Sequence, residues 1–227
     1  YRQKTKALID KYDQLTQSLF LDMFGDPVTN PKGWQRFQLK EFGKIITGNT
    51  PSKKHPEYYD QSFIEWIKTD NIVDGVKCIT PSKSYLSQNG LKHGRSVKAG
   101  SVLIACIAGS LKSIGKAALT DRTVAFNQQI NAVEPNNTVD SNFLYYLIRV
   151  NKVYIQSFAS SSMKKMISKG VLKEIVFYLP PIEIQNQFTE KVEQIEKQKQ
   201  QAEASLVKAE ELFNSLLQRA FKGELTC

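Results

Sequence analysis

The segment Leu212-Phe-Asn-Ser-Leu-Leu-Gln-Arg-Ala-Phe221 repeats an earlier segment, Leu15-Thr-Gln-Ser-Leu-Phe-Leu-Asp-Met-Phe24, at an offset of 197 residues. Leucine, serine, leucine and phenylalanine recur at matching positions, and both segments lie within helical patterns. Solenoid proteins repeat every ~20–50 residues, so this separation is not a solenoid period. The repeat predicts instead one globular unit that is bracketed by two related helices.

The later copy closes a long helical pattern over residues 182–222. Apolar residues recur there at alternating spacings of three and four over about five heptads, which is typical of a coiled-coil seam. Lys199 is the one polar residue on the seam, and Pro180-Pro181 suits a helix start. The pattern predicts a helix of about 60 Å, at ~1.5 Å per residue, that serves as a spacer or a docking surface.

Residues 2–24 predict a shorter helix whose apolar residues keep the same phase and which ends at Gly25. The simplest arrangement packs this helix beside the long one. Two ordinary amphipathic helices that close a domain would explain the apolar stripes, but not the shared ending. The unfilled apolar seam also favours self-pairing of the chain through its helices. The residues predicted to face a partner helix are Ile9, Tyr12, Leu19, Met23, Phe188, Val192, Ile195, Ala202, Leu206, Ala209, Phe213 and Leu216.

Between the two helices the pattern changes to short β-rich runs that are separated by turn signals. Residues 141–157 predict a helix with Asp140 or Ser141 as its N-cap, and a second short helix begins near Ser168. The sequence therefore predicts an α+β fold, with one mixed domain between a short N-terminal helix and a long C-terminal coiled-coil helix. The predicted strands cover 64–67, 101–107, 116–119 and 129–133, and the three predicted regions are 1–25, 28–180 and 181–224.

The net charge of +9 is distributed unevenly over the 227 residues. Residues 28–180 contain 21 Lys/Arg and 10 Asp/Glu, a net charge of +11, whereas residues 1–27 are neutral and residues 181–227 carry −2. An excess of this size favours a polyanionic partner, through phosphate contacts and counterion release. Nucleic acid is therefore the first expectation for the central domain, and a merely basic, solvated surface is the alternative.

No pattern in the sequence indicates catalysis. The stretch Gly109-Ser-Leu-Lys-Ser-Ile-Gly-Lys116 has five residues between its glycines and is followed by Ala117, whereas a Walker A loop has four and then Ser or Thr. The cysteines and histidines have no zinc-like spacing, and no acidic cluster suggests a two-metal nuclease. We therefore expect no metal, no cofactor and no enzymatic activity. Without a run of about 20 apolar residues or a signal peptide, we also expect a cytoplasmic protein and no membrane contact.

Two polar loops combine short hydroxyl side chains with lysines, which suits contacts with phosphates and base edges. One is a flexible loop over 47–55, and the other covers 158–165. The glycine-rich 109–116 stretch is interpreted as a hairpin that presents three further polar residues. The amides of 126–130 either read adenine or stabilise a turn. The candidate DNA-binding residues are Lys53, Lys54, His93, Arg95, Lys112, Ser113, Lys116, Ser160, Ser161, Ser162, Lys164 and Lys165.

Short motifs run in a definite order along essentially the whole chain. They are Thr47-Gly-Asn-Thr-Pro-Ser52 with Tyr58-Tyr59 after it, Trp66-Ile-Lys-Thr-Asp-Asn-Ile72, Gly100-Ser-Val-Leu-Ile104, Ser113-Ile-Gly-Lys116, Asn127-Gln-Gln129, Phe143-Leu-Tyr-Tyr-Leu147, Leu172-Lys-Glu-Ile175, Leu179-Pro-Pro181 with Gln185, and Leu216-Leu-Gln-Arg-Ala-Phe-Lys-Gly-Glu-Leu225. No single motif is specific, but their order resembles that of the DNA-specificity (S) subunit of type I restriction-modification systems.

The resemblance implies a non-catalytic subunit that recognises double-stranded DNA. In that family a full subunit has two target-recognition domains, each reading half of a split site, and two helices that set the spacing. Those helices dock methyltransferase subunits and, through them, the restriction subunit. This chain has one such domain, so we expect either the second half of a full subunit or a natural half-subunit. A coiled-coil scaffold whose basic domain binds an acidic protein, or a non-specific nucleic-acid binder, remain the alternatives.

Overall fold

The computed structural model describes residues 2–160 and 165–222. The chain forms two compact units, one from the described residues of 1–23 and 187–227, the other from Phe24–Asn186. The helices are α1 (Arg2–Phe24), α2 (Leu39–Phe42), α3 (Gln88–His93), α4 (Ser141–Val150), α5 (Lys152–Gln156), α6 (Lys169–Glu174) and α7 (Ile182–Phe221), with single 3₁₀ turns at Pro56–Tyr58, Thr69–Asn71 and Leu111–Ser113.

The strands form two four-stranded sheets and two short ribbons within the Phe24–Asn186 unit. One sheet has the order β2-β10-β6-β8, the other β4-β3-β9-β5, and the ribbons are β1-β12 and β7-β11. All these pairs are antiparallel except β3 with β9. The strands are β1 (Arg36–Gln38), β2 (Gly43–Thr47), β3 (Ile64–Ile67), β4 (Tyr85–Leu86), β5 (Ser96–Val97), β6 (Val102–Ala105), β7 (Ile107–Ala108), β8 (Ala117–Leu119), β9 (Val124–Phe126), β10 (Ile130–Pro135), β11 (Lys165–Met166) and β12 (Val176–Tyr178).

The core of this unit lies between the two larger sheets. Ile67 and Phe126 from one sheet pack in a single cluster with Leu103, Ile130 and Ala132 from the other. All four residues of β6 are buried. Because α4 packs on β6 and β8, the outer face of this sheet is also covered. A strand that is buried on both faces reads as a continuous apolar run, which is why the sequence predicted a strand in this region.

The helical unit pairs α1 with α7. The rings of Phe20 and Phe188 meet edge to face with centroids 5.5 Å apart, and Lys199 Nζ lies 3.0 Å from Asp13 Oδ1. A later residue of α1 therefore meets an earlier residue of α7, so the two helices are antiparallel. The mixed domain and the long C-terminal helix confirm the predicted fold class.

The structure corrects three local predictions. The helix predicted over 141–157 is broken at Asn151, where the backbone departs from helical geometry with a ψ of 14° and the side-chain amide donates to the carbonyl of Leu147 at 2.8 Å. The strand predicted over 101–107 ends at Ala105. Lys165, predicted to lie in a loop, belongs to β11 and pairs with Ala108. The last two differences arise from long-range pairing of β7 with β11, which local patterns do not reveal.

Asp140 is the N-cap of α4, because its carboxylate accepts a hydrogen bond from the backbone N–H of Phe143 at 2.8 Å. Ser168 caps α6 in the same way, through the N–H of Val171 at 3.2 Å. Of the helices in residues 2–160 and 165–222, none is long and apolar enough to cross a membrane.

Candidate nucleic-acid interface

A turn of amide residues joins the two large sheets. Asn127 is buried between β9 and β10, and its backbone N–H donates to the carbonyl of Ile67 at 3.0 Å. Its side-chain oxygen accepts from the N–H of Gln129, and its side-chain nitrogen donates to Gln129 Oε1, both at 3.1 Å. Asn127 and Gln129 therefore stabilise the turn, whereas Gln128 between them is exposed.

The 47–55 loop is held against this turn. The N–H of Gly48 donates to the carbonyl of Ile130, and the N–H of Asn49 to that of Phe126, each at 3.0 Å. The hydroxyl of Thr50 donates to the side-chain oxygen of Gln128. The prediction of a flexible loop is therefore wrong for residues 48–50, because backbone bonds and a side-chain bond fix them.

Glycine is required at position 48 for steric reasons. A Cβ atom there would lie 2.1 Å from the carbonyl oxygen of Asn127 and 2.4 Å from that of Phe126. The next turn of the loop is fixed by two aromatic side chains. Trp66 Nε1 donates to the carbonyl of Asn49 at 3.2 Å, and the Tyr59 hydroxyl donates to that of Pro51 at 2.6 Å. These anchors present Lys53 and Lys54 as exposed side chains at the tip of the loop.

Two more predicted residues lie beside the same loop, at the end of α3 and the start of β5. The side-chain amide of Asn49 donates to the carbonyl of His93 at 2.6 Å, and Arg95 Nη1 donates to the carbonyl of Thr47 at 2.8 Å. Both His93 and Arg95 remain exposed. We call residues 47–55, His93, Arg95 and Gln128 the amide-turn surface.

A stack of three rings links the two sides of the amide-turn surface. Tyr58 lies between His55, at a centroid distance of 4.9 Å, and His93, at 4.6 Å, with interplanar angles of 24° and 23°. His55 Nδ1 is 3.0 Å from the Glu57 carboxylate. Sequence reasoning selected His93 but missed His55 and Tyr58. The His55-Pro-Glu-Tyr58 turn next to two lysines was the only local signal.

The β7-β11 ribbon borders the amide turn on another side. The carbonyl of Gln129 accepts from the N–H groups of Cys106 and Ile107, at 2.8 and 3.1 Å. The ribbon contains half-buried Lys165 and leads into the 3₁₀ turn with exposed Lys112.

The serines predicted near this ribbon are less accessible. Ser113 is half-buried, and its hydroxyl lies 3.3 Å from that of Ser110. Ser160 is also half-buried, and its N–H donates to the carbonyl of Met166 at 3.0 Å. The predicted residues Ser161, Ser162 and Lys164 lie outside the described residues.

Lys116 lies neither in the amide-turn surface nor in the β7-β11 ribbon. It is half-buried, and its Nζ lies 3.3 Å from a carboxylate oxygen of Asp74. The other oxygen of the same carboxylate is 3.2 Å from Lys152 Nζ. The prediction that Lys116 is displayed on the hairpin loop with Lys112 is therefore wrong.

Ion pairs reduce the positive charge elsewhere in this unit. Arg122 forms a salt bridge with Glu65, and Lys40 with Glu174 at 3.1 Å. The Arg122 guanidinium lowers the pKa of the Glu65 carboxyl, and the backbone N–H of Ser82 adds to this effect against the opposing effect of burial. By contrast, no carboxylate within residues 2–160 and 165–222 pairs with Lys53, Lys54 or Lys112. These three lysines are free to contact phosphates.

Chemically reactive groups are scarce in the described part of the chain. No group of three His, Cys, Asp or Glu residues there could hold a metal ion. Burial raises the pKa of the Cys106 thiol to about 11, so this cysteine is protonated at neutral pH. The exposed lysines, ring stack and amides are suited to binding.

The seam of the helical unit differs in part from the prediction. Thr16 and Phe20 are buried, although sequence reasoning selected Leu19 instead. Tyr12, Thr16 and Phe20 follow one another at intervals of four residues, and this helical spacing was the signal that could have identified the last two. Among the predicted residues, Phe188, Val192 and Leu206 are buried, whereas Tyr12, Leu19, Met23, Ile195, Ala202 and Ala209 are half-buried, and Phe213 and Leu216 are exposed. The side chain of Ile9 lies outside the described residues.

Comparison with known proteins shows a consistent likeness. The model of the type I restriction modification DNA specificity domain matches residues 31–209. The HindI specificity subunit of Haemophilus influenzae is 28% identical over 200 residues, covering 86% of this chain and 42% of that protein. The EcoR124I/EcoR124II specificity subunit of Escherichia coli is 27% identical over 140 residues, covering 57% and 34%. The chain thus spans less than half the length of these curated relatives.

Solved structures share the fold. The HsdS subunit from Thermoanaerobacter tengcongensis has a TM-score of 0.64 at 20% identity, covering 99% of this chain and 54% of that chain. The S subunit of a type I restriction-modification system from M. genitalium has a TM-score of 0.59 at 15% identity, covering 95% and 54%. At these identities the likeness is one of fold.

Proposed function

This chain belongs to the family of type I restriction modification DNA specificity domains, and on that premise we propose that its Phe24–Asn186 unit recognises a specific sequence of double-stranded DNA. The resemblance inferred from the order of its motifs is confirmed by the match over residues 31–209. That match is the observation that carries the proposal, because it includes every charged residue of the basic region, whose net charge is +11. A scaffold or a non-specific binder is not favoured by it.

In this proposal the amide-turn surface lies against the duplex. Lys53 and Lys54 contact phosphates, since they are exposed at the tip of an anchored loop. Gln128 is the best placed amide for a base edge, because its oxygen is held by Thr50 while its nitrogen keeps two donors. His93 and Arg95 border the same loop and provide further donors.

The β7-β11 ribbon extends the proposed contact. Lys112 and Lys165 would meet phosphates beyond the amide turn. Ser113 and Ser160 are weaker candidates for base contacts, because both are half-buried.

The helices are proposed to bind protein. Residues 181–227 carry a net charge of −2, so they contribute nothing to DNA attraction. We propose that they dock methyltransferase subunits and, through these, the restriction subunit, in the cytoplasm. The chain itself then carries no catalytic activity, and a full assembly contains two recognition units.

The repeated helix ending supports a second helical partner. Thr16, Phe20 and Phe24 are buried near the end of α1. Their counterparts at the 197-residue offset, Phe213, Leu217 and Phe221, are 61%, 39% and 88% exposed at the end of α7. We propose that the helix of a second recognition unit covers this end, in the same way that α7 covers α1. In sedimentation velocity, Phe213→Ser/Leu217→Ser should then remain monomeric at concentrations where the unaltered chain dimerises.

The proposed function is tested by selecting duplexes from a random pool with the purified chain, in the presence and absence of methyltransferase subunits. The enriched site is then titrated at several salt concentrations by fluorescence anisotropy. A specific module should lose about 1–3 kcal/mol for each mismatched pair. Equal affinity for random duplexes, or no binding even with the methyltransferase present, would contradict the proposal.

Charge-matched variants test the amide-turn surface. Lys53→Gln should lower the slope of log affinity against log salt by about 1, and should weaken binding for all sequences. Lys40→Gln removes the same charge from a lysine paired with Glu174, and should leave the slope nearly unchanged. Equal effects of the two variants would mean that the loop does not contact phosphates.

A further inference from the structure

A small cationic cleft lies where the β8 strand meets α4 and α5. It is lined by Lys116, Arg149 and Lys152, together with Asp74, Gly115 and Tyr145. Both lysines bind the Asp74 carboxylate, at 3.3 and 3.2 Å. In the described part of the chain, the Arg149 guanidinium pairs with no carboxylate. Three cationic residues therefore line a cleft that contains one carboxylate.

The two lysine side chains are more buried than the carboxylate that they bind. Each lysine side chain is 26% exposed, but that of Asp74 is 60% exposed and lies on the loop between the Thr69–Asn71 turn and β4. Positive charge that is partly removed from water is stabilised by any anion that reaches it. The present anion is thus the most easily displaced member of the cluster.

Local backbone geometry builds the cleft. Gly115 has a φ of 76°, in the left-handed region that favours glycine, and a Cβ there would lie 3.4 Å from Lys152. This conformation brings Lys116 next to α5. The side chain of Gln156 donates to the carbonyls of Leu111 and Ile114, at 2.9 and 3.0 Å, and so fixes the hairpin to the same helix. The Ser113-Ile-Gly-Lys116 motif is therefore a device that positions a lysine.

We propose that Lys116, Arg149 and Lys152 form a phosphate-binding site, and that Asp74 occupies it as an internal substitute for the phosphate. The free cavity has a volume of about 20 Å³, which is room for about one water molecule. A phosphate enters only when the Asp74 carboxylate swings outward, which its exposure allows. A phosphodiester group of bound DNA and a free phosphate ion would both form ion pairs with the same three cationic side chains.

If the phosphate group belongs to DNA, this proposal rests on the proposed function. If it is a free phosphate ion, the proposal is independent of that function. If the DNA backbone supplies the phosphate, the site adds a contact to those of the amide-turn surface and the ribbon. Asp74 would then lower the affinity for every duplex, because each must displace it before the three cations are used. Arg149 and Lys152, which sequence reasoning did not select, would belong to the DNA-binding surface.

The test compares the unaltered chain with Asp74→Asn and with Glu174→Gln. Both substitutions remove one exposed carboxylate that is paired with lysine, so their effects on overall charge are equal. Anisotropy with a duplex should show an affinity gain of about twofold to fivefold for Asp74→Asn beyond that of Glu174→Gln. Adding Lys152→Gln to Asp74→Asn should remove the gain. Thermal unfolding verifies that each variant is folded.

The second part of the test uses inorganic phosphate and amide NMR, with sodium chloride at equal ionic strength as the control. The Gly115 amide should shift and saturate with phosphate, at lower concentration in Asp74→Asn, and should not respond in Arg149→Gln/Lys152→Gln. Saturation without a specific change in duplex affinity identifies free phosphate as the source. No saturation, together with equal duplex affinities for Asp74→Asn and Glu174→Gln, overturns the proposal. If the unaltered chain binds no duplex, the proposed function fails and the NMR titration alone decides the cleft.

Discussion

Replacing Gly48 by alanine tests how the amide-turn surface is assembled. Gly48 has no positive φ, so alanine meets no backbone strain, and the effect comes from the Cβ atom. That atom would lie 2.1 Å from the carbonyl oxygen of Asn127, so the loop must move away from the amide turn. The movement breaks the two hydrogen bonds from Gly48 to Ile130 and from Asn49 to Phe126.

The magnitude follows from those two bonds. Each buried bond left unmade costs about 1–3 kcal/mol, and alanine returns about 0.4–1 kcal/mol by restricting the unfolded chain. Since water can reach part of the displaced loop, we expect the lower end, a net loss of about 1–1.5 kcal/mol in the free energy of unfolding. Duplex affinity should also fall, because the displaced loop carries Lys53 and Lys54 away from their positions.

The assay is urea unfolding followed by circular dichroism, with duplex anisotropy on the same samples. Gly109→Ala is the matched control, because a Cβ atom at Gly109 meets nothing within 4 Å. The control should raise stability by about 0.4–1 kcal/mol, which is the contribution of the unfolded chain alone. If Gly48→Ala unfolds at the same urea concentration as Gly109→Ala and binds DNA normally, the close approach at residue 48 is not what organises the loop.

Three further predictions concern the half-buried Glu65 and the buried Phe188 and Cys106. Glu65→Gln should lower the free energy of unfolding by about 1.5–3 kcal/mol at neutral pH. Since the native carboxyl pKa is lowered, this contribution is present above the unfolded value of ~4.3 and disappears as pH falls through the native pKa. Urea titrations at several pH values would show the loss. Phe188→Ala should cost about 3–5 kcal/mol by emptying the contact with Phe20, whereas Val207→Ala, at a 53% exposed position, should change little in the same melts. Cys106, with its thiol pKa near 11, should react with iodoacetamide at pH 8 only after unfolding, as peptide mass mapping would detect.

Much of the fold could be predicted because its signals are local. The long α7 and the shorter α1 follow from their heptad spacing, and β6 from its apolar run. The N-caps at Asp140 and Ser168 follow from residue type and position. Strands of two or three residues, such as β5 and β9, carry too few residues for a periodic pattern. They exist because neighbouring strands supply their hydrogen bonds.

The polar seam residue shows how sequence and structure complement each other. The heptad pattern marked Lys199 as an exception on an apolar stripe. Only the packed helices show that Asp13 of α1 receives it, at 3.0 Å. A paired charge within an otherwise apolar seam favours one register and orientation of the two helices.

The sequence alone determined the architecture, the location of the positive charge and the family, because heptad spacing, composition and motif order are properties of the linear chain. Only the tertiary structure decided which cations share a surface. Thr47, His93 and Gln128 come from three distant segments. They meet because the backbone carbonyls of Thr47 and His93 and the side-chain oxygen of Gln128 accept hydrogen bonds between these segments. The tertiary structure also decided the position of Lys116. It lies beside Asp74 and Lys152, which are distant in sequence, and the two lysines share the Asp74 carboxylate.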